Sequence, residues 1–240
     1  MIKFENTEVV GWEAAIRGMR NPMNSWEKSD SGYCQRDLLR DCTTCVHKDY
    51  DYPACNSGFD IGPNDYKLMM RLAKGGPVHA KYRRMITVYV DITAPLYWWK
   101  EFDTYKVGTV ANSCSTMHKI AAKEFTLEDF SCEYLESRAL NTLEDVIDEL
   151  NYYRDKYINW KDSDFYIDND QQLVDKKVIW WQMIQLLPSS YNQKRTVMLN
   201  YEVLAGIYPM RKDHKLDEWY AFCNWITSLS YSEIITGEEK

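Results

Sequence analysis

Two stretches of this chain carry residue types that could do chemistry. In the first, Cys34, Cys42, Cys45 and Cys55 fall close together, with Cys-Thr-Thr-Cys as the inner pair and His47 nearby. Thiolates at such spacing can close the tetrahedral shell of a structural zinc, and this short polar segment has few apolar residues to hold itself together otherwise. An iron–sulfur cluster, a local disulfide or free thiols are the other states open to the same residues. A shell made only of protein ligands leaves no open position for a substrate, so a metal here would be structural. The second stretch, 94–119, reads APLYWWKEFDTYKVGTVANSCSTMHK. It packs aromatic rings, alternating charges and a Gly-Thr turn into one run, then ends on small hydroxyl and thiol side chains that suit a ligand-facing loop. We read it as a nucleotide-binding centre, with Lys100, Glu101 and Lys106 available to a cleft.

The elements that must position these groups belong to a globular chain. With 240 residues and 45% hydrophobic content there is ample material for a packed core, and a single domain over 1–240 is expected, with the cysteine segment inserted at about 32–58 between Gly32 and Gly58. Aromatics reach 14%, including nine Trp and eighteen Tyr, which calls for large buried side chains or flat ligands to stack on. The formal net charge of −7 argues against a nucleic-acid partner, because phosphate neutralisation needs clustered Lys and Arg, yet it leaves room for one nucleotide. No apolar run approaches the roughly 20 residues of a membrane helix. The start, MIKFENTEVVGWE, lacks a basic region followed by an apolar one, so a cytoplasmic location without membrane attachment is expected. The odd count of seven Cys favours reduced thiols or metal ligation over a full disulfide framework.

Taken in order, residues 2–10 predict an edge strand and 13–19 the opening of a helix that buries Ala14, Ala15 and Ile16 and stops at Pro22. A loop follows, then a helix from Asn64 or Asp65 carrying Leu68, Met69, Leu72 and Ala73 at helical spacing until Gly75-Gly76-Pro77. The alternating, β-branched MITVYVDI predicts a strand, and LYWWKEFDTYKV a helix with its aromatics inward. Thr126 with Asp129, and Thr142 with Asp145, fit the capping pattern in which a hydroxyl and an acid three residues on satisfy free backbone N–H groups. The second pair would open a helix with Leu143, Val146, Ile147, Leu150 and Tyr157 on one face. An acidic loop over 162–170, helices over 171–187, 192–208 (ended by Pro209) and 215–229, and a fraying tail complete the pattern. The fold class expected is α+β, with a small early sheet and a helix-rich C-terminal half.

Taken together, the residues resemble the flavin-dependent thymidylate synthases, in four pieces that occur in the family's order. They are AAIRGMRN at 14–21; GGPVHAKYRRMITVYVDITAP at 75–95, similar to the family's Gly-His segment leading into a strand and Ala-Pro; TYKVGTVANSCSTM at 104–117; and LPSSYNQKRTVMLNYEVLAGIYPMRKD at 187–213. The third can be laid on the central motif R-H-R-x-x-S-x-N-E-x-S-x-R with one extra residue. The fourth matches through Leu187, Pro188, Asn200, Leu204, Arg211 and Asp213. The departures are concentrated in the centre. Thr104-Tyr105-Lys106 stands for Arg-His-Arg, Thr109 for the following Ser, Ser113 for the Glu, Met117 for the closing Arg, Glu101 for a preceding Gln, and Ile184 for an Arg before the Leu-Pro. Lys cannot replace a bidentate Arg.

The resemblance implies a flavin-dependent thymidylate synthase-like fold and the reductive methylation of dUMP or a related pyrimidine nucleotide, using methylenetetrahydrofolate, FAD and NADPH. It assigns catalysis to Arg211, Thr109 and Glu101, with Arg211 polarising the uracil carbonyl region. FAD contacts go to His79, Lys106, Asn112 and Asn200, and nucleotide contacts to Lys100, Ser113, Ser115 and Arg211. Lys100, His118, Lys119 or Arg195 would supply missing phosphate contacts from shifted positions. The resemblance also implies a homotetramer with sites shared between subunits. A non-catalytic nucleotide-binding or assembly protein on the same fold is the alternative left by the rewritten centre.

Overall fold

The structure, a computed structural model, describes residues 2–33, 59–161, 166–167 and 173–238. Cys34, Cys42, Cys45 and Cys55, the expected zinc ligands, lie outside the described residues, as does most of the acidic 162–170 segment. Among the described residues, no group of three or more His, Cys, Asp or Glu is placed to hold a metal ion. No described helix is long and apolar enough to cross a membrane.

The elements run β1 (Lys3–Val10), α1 (Trp12–Arg20), β2 (Gly32–Tyr33), β3 (Phe59–Asp60), α2 (Pro63–Lys74), β4 (Thr87–Pro95), α3 (Leu96–Phe102), β5 (Val110–Ser113) and α4 (Thr116–Lys119). They continue with α5 (Ser137–Ile158), β6 (Tyr166–Ile167), β7 (Leu173–Val174), α6 (Lys176–Leu186), β8 (Asn192–Asn200), α7 (Tyr201–Arg211), α8 (Asp217–Ser228) and α9 (Glu233–Thr236). One four-stranded sheet has the order β1-β4-β8-β5, and β2-β3 and β6-β7 form two-stranded antiparallel ribbons. The class is α+β, and β1 is an edge strand as its sequence predicts.

The chain divides into two compact units, with the boundary falling inside β1, β4, β5 and β8. The first comprises 1–3, 91–104 and 112–196. Its core gathers Phe125, Phe130, Leu143, Ile147, Leu150 and Met183, where α5 packs on α6. The aromatic run of α3 turns inward as expected, with Trp98, Trp99 and Phe102 buried against one another. The second unit comprises 4–90, 105–111 and 197–240. There Trp12 meets the edges of Tyr201 and Tyr231, and Trp219 packs on Phe222, both fully buried, as are Leu204 and Ile226. Gly11, at φ +94°, lets the chain enter α1 beside the carbonyl of Met85; a Cβ there would sit 2.1 Å from that oxygen.

Four expectations are corrected. Residues 192–208 are not one helix: 192–200 form β8, a central strand in which Gln193, Val197 and Leu199 are buried. Burial there follows the two-residue period of a strand, and only from Tyr201 does it follow the helical period of Tyr201, Leu204 and Ile207. The sheet is therefore not confined to the early chain. Pro209 lies inside α7 rather than ending it. Thr142 is not a cap, because α5 already begins at Ser137 and the Thr142 hydroxyl donates to the Arg138 carbonyl within the helix. Thr126 and Asp129 do form the expected capping box. The tail is held by α9, where Ile234 and Ile235 are buried.

Candidate functional site

The deepest polar construction in the second unit is a buried ion pair. Arg20, in the last turn of α1, donates from Nε to Asp65 Oδ1 at 2.6 Å, from Nη1 to the Ser25 carbonyl at 3.2 Å and from Nη2 to the Lys28 carbonyl at 2.9 Å. Asp65 Oδ2 accepts the Ser29 and Ser31 hydroxyls, each at 2.7 Å, and the backbone N–H groups of Asp30 and Ser31, each at 3.1 Å. Burial alone would raise the Asp65 pKa, but the bonds from Ser29, Ser31 and Arg20 outweigh it and hold the carboxyl below its ordinary value. Asp30 in turn accepts the N–H groups of Asn64 and Asp65 at the start of α2. The loop at 24–31 is thus folded around one carboxylate.

Beside this pair runs a cleft of about 1250 Å³, lined by the end of α1, the 21–30 loop, α2 and the 3₁₀ segment that follows His79. His79 lines it together with Lys28, Lys67, Arg71 and Lys81, all exposed and none paired to a carboxylate among the described residues; Glu27 and Asp30 also reach it. The cleft is therefore cationic on the α2 side.

A second constellation of the same unit forms around α7. Arg211, in its last turn and half-buried, donates from Nε to the Tyr105 hydroxyl at 2.7 Å, and its guanidinium lies over the Trp219 ring at 4.4 Å. Tyr105 meets the same indole edge-on, with centroids 5.9 Å apart. Burial pushes the nearby Cys223 thiol up to about 11, against the opposing pull of Arg211. At the other end of the helix, Asn200 Oδ1 accepts the Val203 N–H at 3.0 Å and caps α7. Gly108, at φ +78°, brings the 105–111 segment onto this cap: a Cβ there would lie 3.2 Å from Asn200 Nδ2 and 3.0 Å from Val203 Cγ2. The Thr109 Oγ1 is buried without a hydrogen-bond partner among the described residues, and Lys106 is exposed. Replacing Asn200 with Ala is expected to cost about 1 kcal/mol of stability through the lost cap, measured by urea denaturation against Asn200→Asp, which keeps the acceptor.

The first unit holds the remaining sequence-predicted residues. Lys100 is exposed and Glu101 half-buried on the last turn of α3, while Asn112 and Ser113 are exposed on β5. Ser115 Oγ accepts the His118 N–H at 3.0 Å and caps α4. Arg195 is committed elsewhere: its Nε donates to Gln193 Oε1 at 3.0 Å, its Nη1 to Asp103 at 2.7 Å, and its guanidinium covers Trp99 at 4.1 Å. Gln193 Nε2 donates to the Cys114 carbonyl at 2.8 Å, and Trp99 Nε1 to the Gln193 carbonyl at 3.0 Å.

The predicted residues thus divide, with His79, Lys106, Thr109, Asn200 and Arg211 in one unit and Lys100, Glu101, Asn112, Ser113 and Ser115 in the other. Sequence reading missed the Arg20–Asp65 pair by taking Asp65 for a possible helix cap. One signal was present: Asp65 stands four residues before Met69 on the buried stripe of α2, where an acid demands a partner. Tyr105 as the partner of Arg211 carried no local signal.

The sequence matches no protein-family model and no curated protein. Among solved structures, the chain is similar to flavin-dependent thymidylate synthase ThyX from Helicobacter pylori complexed with FAD and dUMP, at 12% identity and a TM-score of 0.58, covering 100% of this chain and 99% of that one. A second structure of Helicobacter pylori ThyX with FAD and dUMP gives 12% identity and a TM-score of 0.55 over 97% and 94% of the two chains. The UMP/dUMP methylase PolB from Streptomyces cacaoi, bound with 5-Br dUMP, gives 10% and 0.53 over 99% and 95%. The shared feature is the fold, along the full length.

Proposed function

We propose that this chain, folded like the flavin-dependent thymidylate synthases, binds FAD and a pyrimidine nucleoside monophosphate and carries out reductive methylation of dUMP or a close relative. Methylenetetrahydrofolate would serve as one-carbon donor and NADPH as reductant, in a homotetramer. The observation that carries the reading is Arg211, the residue the resemblance assigns to the uracil carbonyl, held on a hydrogen bond and an aromatic face. A cation fixed before the ligand arrives stabilises developing negative charge without reorganising, which is the main device available where no protein nucleophile takes part.

The residues present fit a flavin dinucleotide. Lys28, Lys67, Arg71 and Lys81 give the His79 cleft positive charge suited to a diphosphate. Because Asn200 Oδ1 is used by the helix cap, its amide N–H groups are the donors it can offer, alongside those of Lys106 and Asn112. The buried Thr109 hydroxyl lacks a partner within the described chain, a need that a ligand polar group would meet. Bound flavin supplies the hydride; the chain's part is to bind and orient. Lys100, Ser113 and Ser115 are proposed for the nucleotide phosphate, with the Ser115 hydroxyl proton still available after its oxygen has capped α4. Glu101, half-buried, is proposed to face the pyrimidine edge.

FAD titration and thermal shift test this directly. The purified protein should take up FAD and show its visible absorbance, and dUMP at a hundredfold excess over its Kd should stabilise the native state by about 2.7 kcal/mol. Absence of both responses would overturn the proposal. A dUMP shift without flavin uptake would select the non-catalytic binding protein, the reading favoured by Thr104 and Lys106 standing where the family motif has two arginines.

A further inference from the structure

The geometry points to Tyr105 as a positioning residue for Arg211. This rests on the proposed role of Arg211 in nucleotide recognition, and it gives a purpose to a residue that looks, in sequence, like a loss. An Arg side chain has a long flexible stem, and a free guanidinium would surrender that freedom on meeting a ligand. Here restraints act on it before any ligand arrives. The Tyr105 hydroxyl accepts the Nε proton at 2.7 Å, which fixes rotation about the last bonds of the stem, and the buried Trp219 ring beneath the guanidinium at 4.4 Å fixes its plane. Tyr105 is itself braced edge-on against Trp219. With its Nε held by a phenol, the guanidinium is presented to a planar acceptor such as a pyrimidine carbonyl in one orientation. A Phe at 105 would keep the ring contact with Trp219 and remove the hydroxyl that accepts from Nε.

The measurement is dUMP affinity by calorimetry on the FAD-loaded protein. Four forms are compared: wild type, Tyr105→Phe, Arg211→Lys and the double variant. Tyr105→Phe is expected to weaken dUMP about fivefold, the equivalent of one hydrogen bond, with its thermal midpoint without nucleotide unchanged. In the Arg211→Lys background, where no Nε donor exists, the same change at 105 should have no further effect. Wild-type affinity in Tyr105→Phe would overturn the inference, as would a loss that persists undiminished in the Arg211→Lys background or accompanies a lowered midpoint, since each means that Tyr105 acts on the fold or the ligand without Arg211. If wild type loaded with FAD fails to bind dUMP, the functional reading itself is wrong and this inference falls with it.

Discussion

Asp65→Ala is expected to destabilise the protein by about 3 to 5 kcal/mol, the cost of leaving one member of a buried pair uncompensated. Asp65 is 0% exposed and Arg20 5%. Removing the carboxylate leaves the buried guanidinium without its counter-charge and deprives two hydroxyls and two backbone N–H groups of their shared acceptor. Because those groups belong to the 24–31 loop, the same substitution should loosen one wall of the His79 cleft and weaken FAD. Replacing both partners with apolar residues should cost less than either single change, because no charge is then left buried. Urea denaturation with an unchanged m-value checks the stability claim, and a loss below about 1 kcal/mol would refute it. The pH dependence has a definite sign. Asp65 titrates below its ordinary value of 3.8 in the folded protein, so on acidification the unfolded chain takes up the proton first. Its contribution is complete above that value and is lost as pH falls through the depressed folded pKa. Wild type should therefore lose its advantage over Asp65→Ala only below about pH 4.

Arg211→Ala should lower dUMP affinity roughly ten- to hundredfold, the range for a charge-assisted hydrogen bond of about 1.5 to 3 kcal/mol. Arg211→Lys should recover little of this, since it restores charge without the flat fork that lies on Trp219. The control is the fold. Arg211 is half-buried over a fully buried indole, so circular dichroism and the thermal midpoint must show that Trp219 remains packed. Unchanged affinity in a folded Arg211→Ala protein would remove the residue from the nucleotide site.

Much of the architecture was legible because it is written in local periods. The alternation of 87–92, the inward Trp98, Trp99 and Phe102, and the faces of α2 and α5 could each be read within a dozen residues. So could the order of four motifs along the chain, which pointed to the fold that the structural comparisons bear out. The misreading at 192–208 arose where two periods abut. A short apolar run does not by itself declare strand or helix, and the Asn200 cap that marks the junction was passed over as an interior residue.

What the sequence by itself determined is the α+β class, the sites of most helices and strands, and the residue types offered to a ligand. What only the tertiary structure decided is which of those residues spend their hydrogen bonds on one another. Arg20 finds Asp65 across 45 residues and Arg211 finds Tyr105 across 106, while Arg195, which could have served a phosphate, is absorbed by Asp103, Gln193 and Trp99. The physical reason is that secondary structure answers to neighbours within a few residues, whereas a buried charge is settled by whichever partner the fold brings within hydrogen-bond reach.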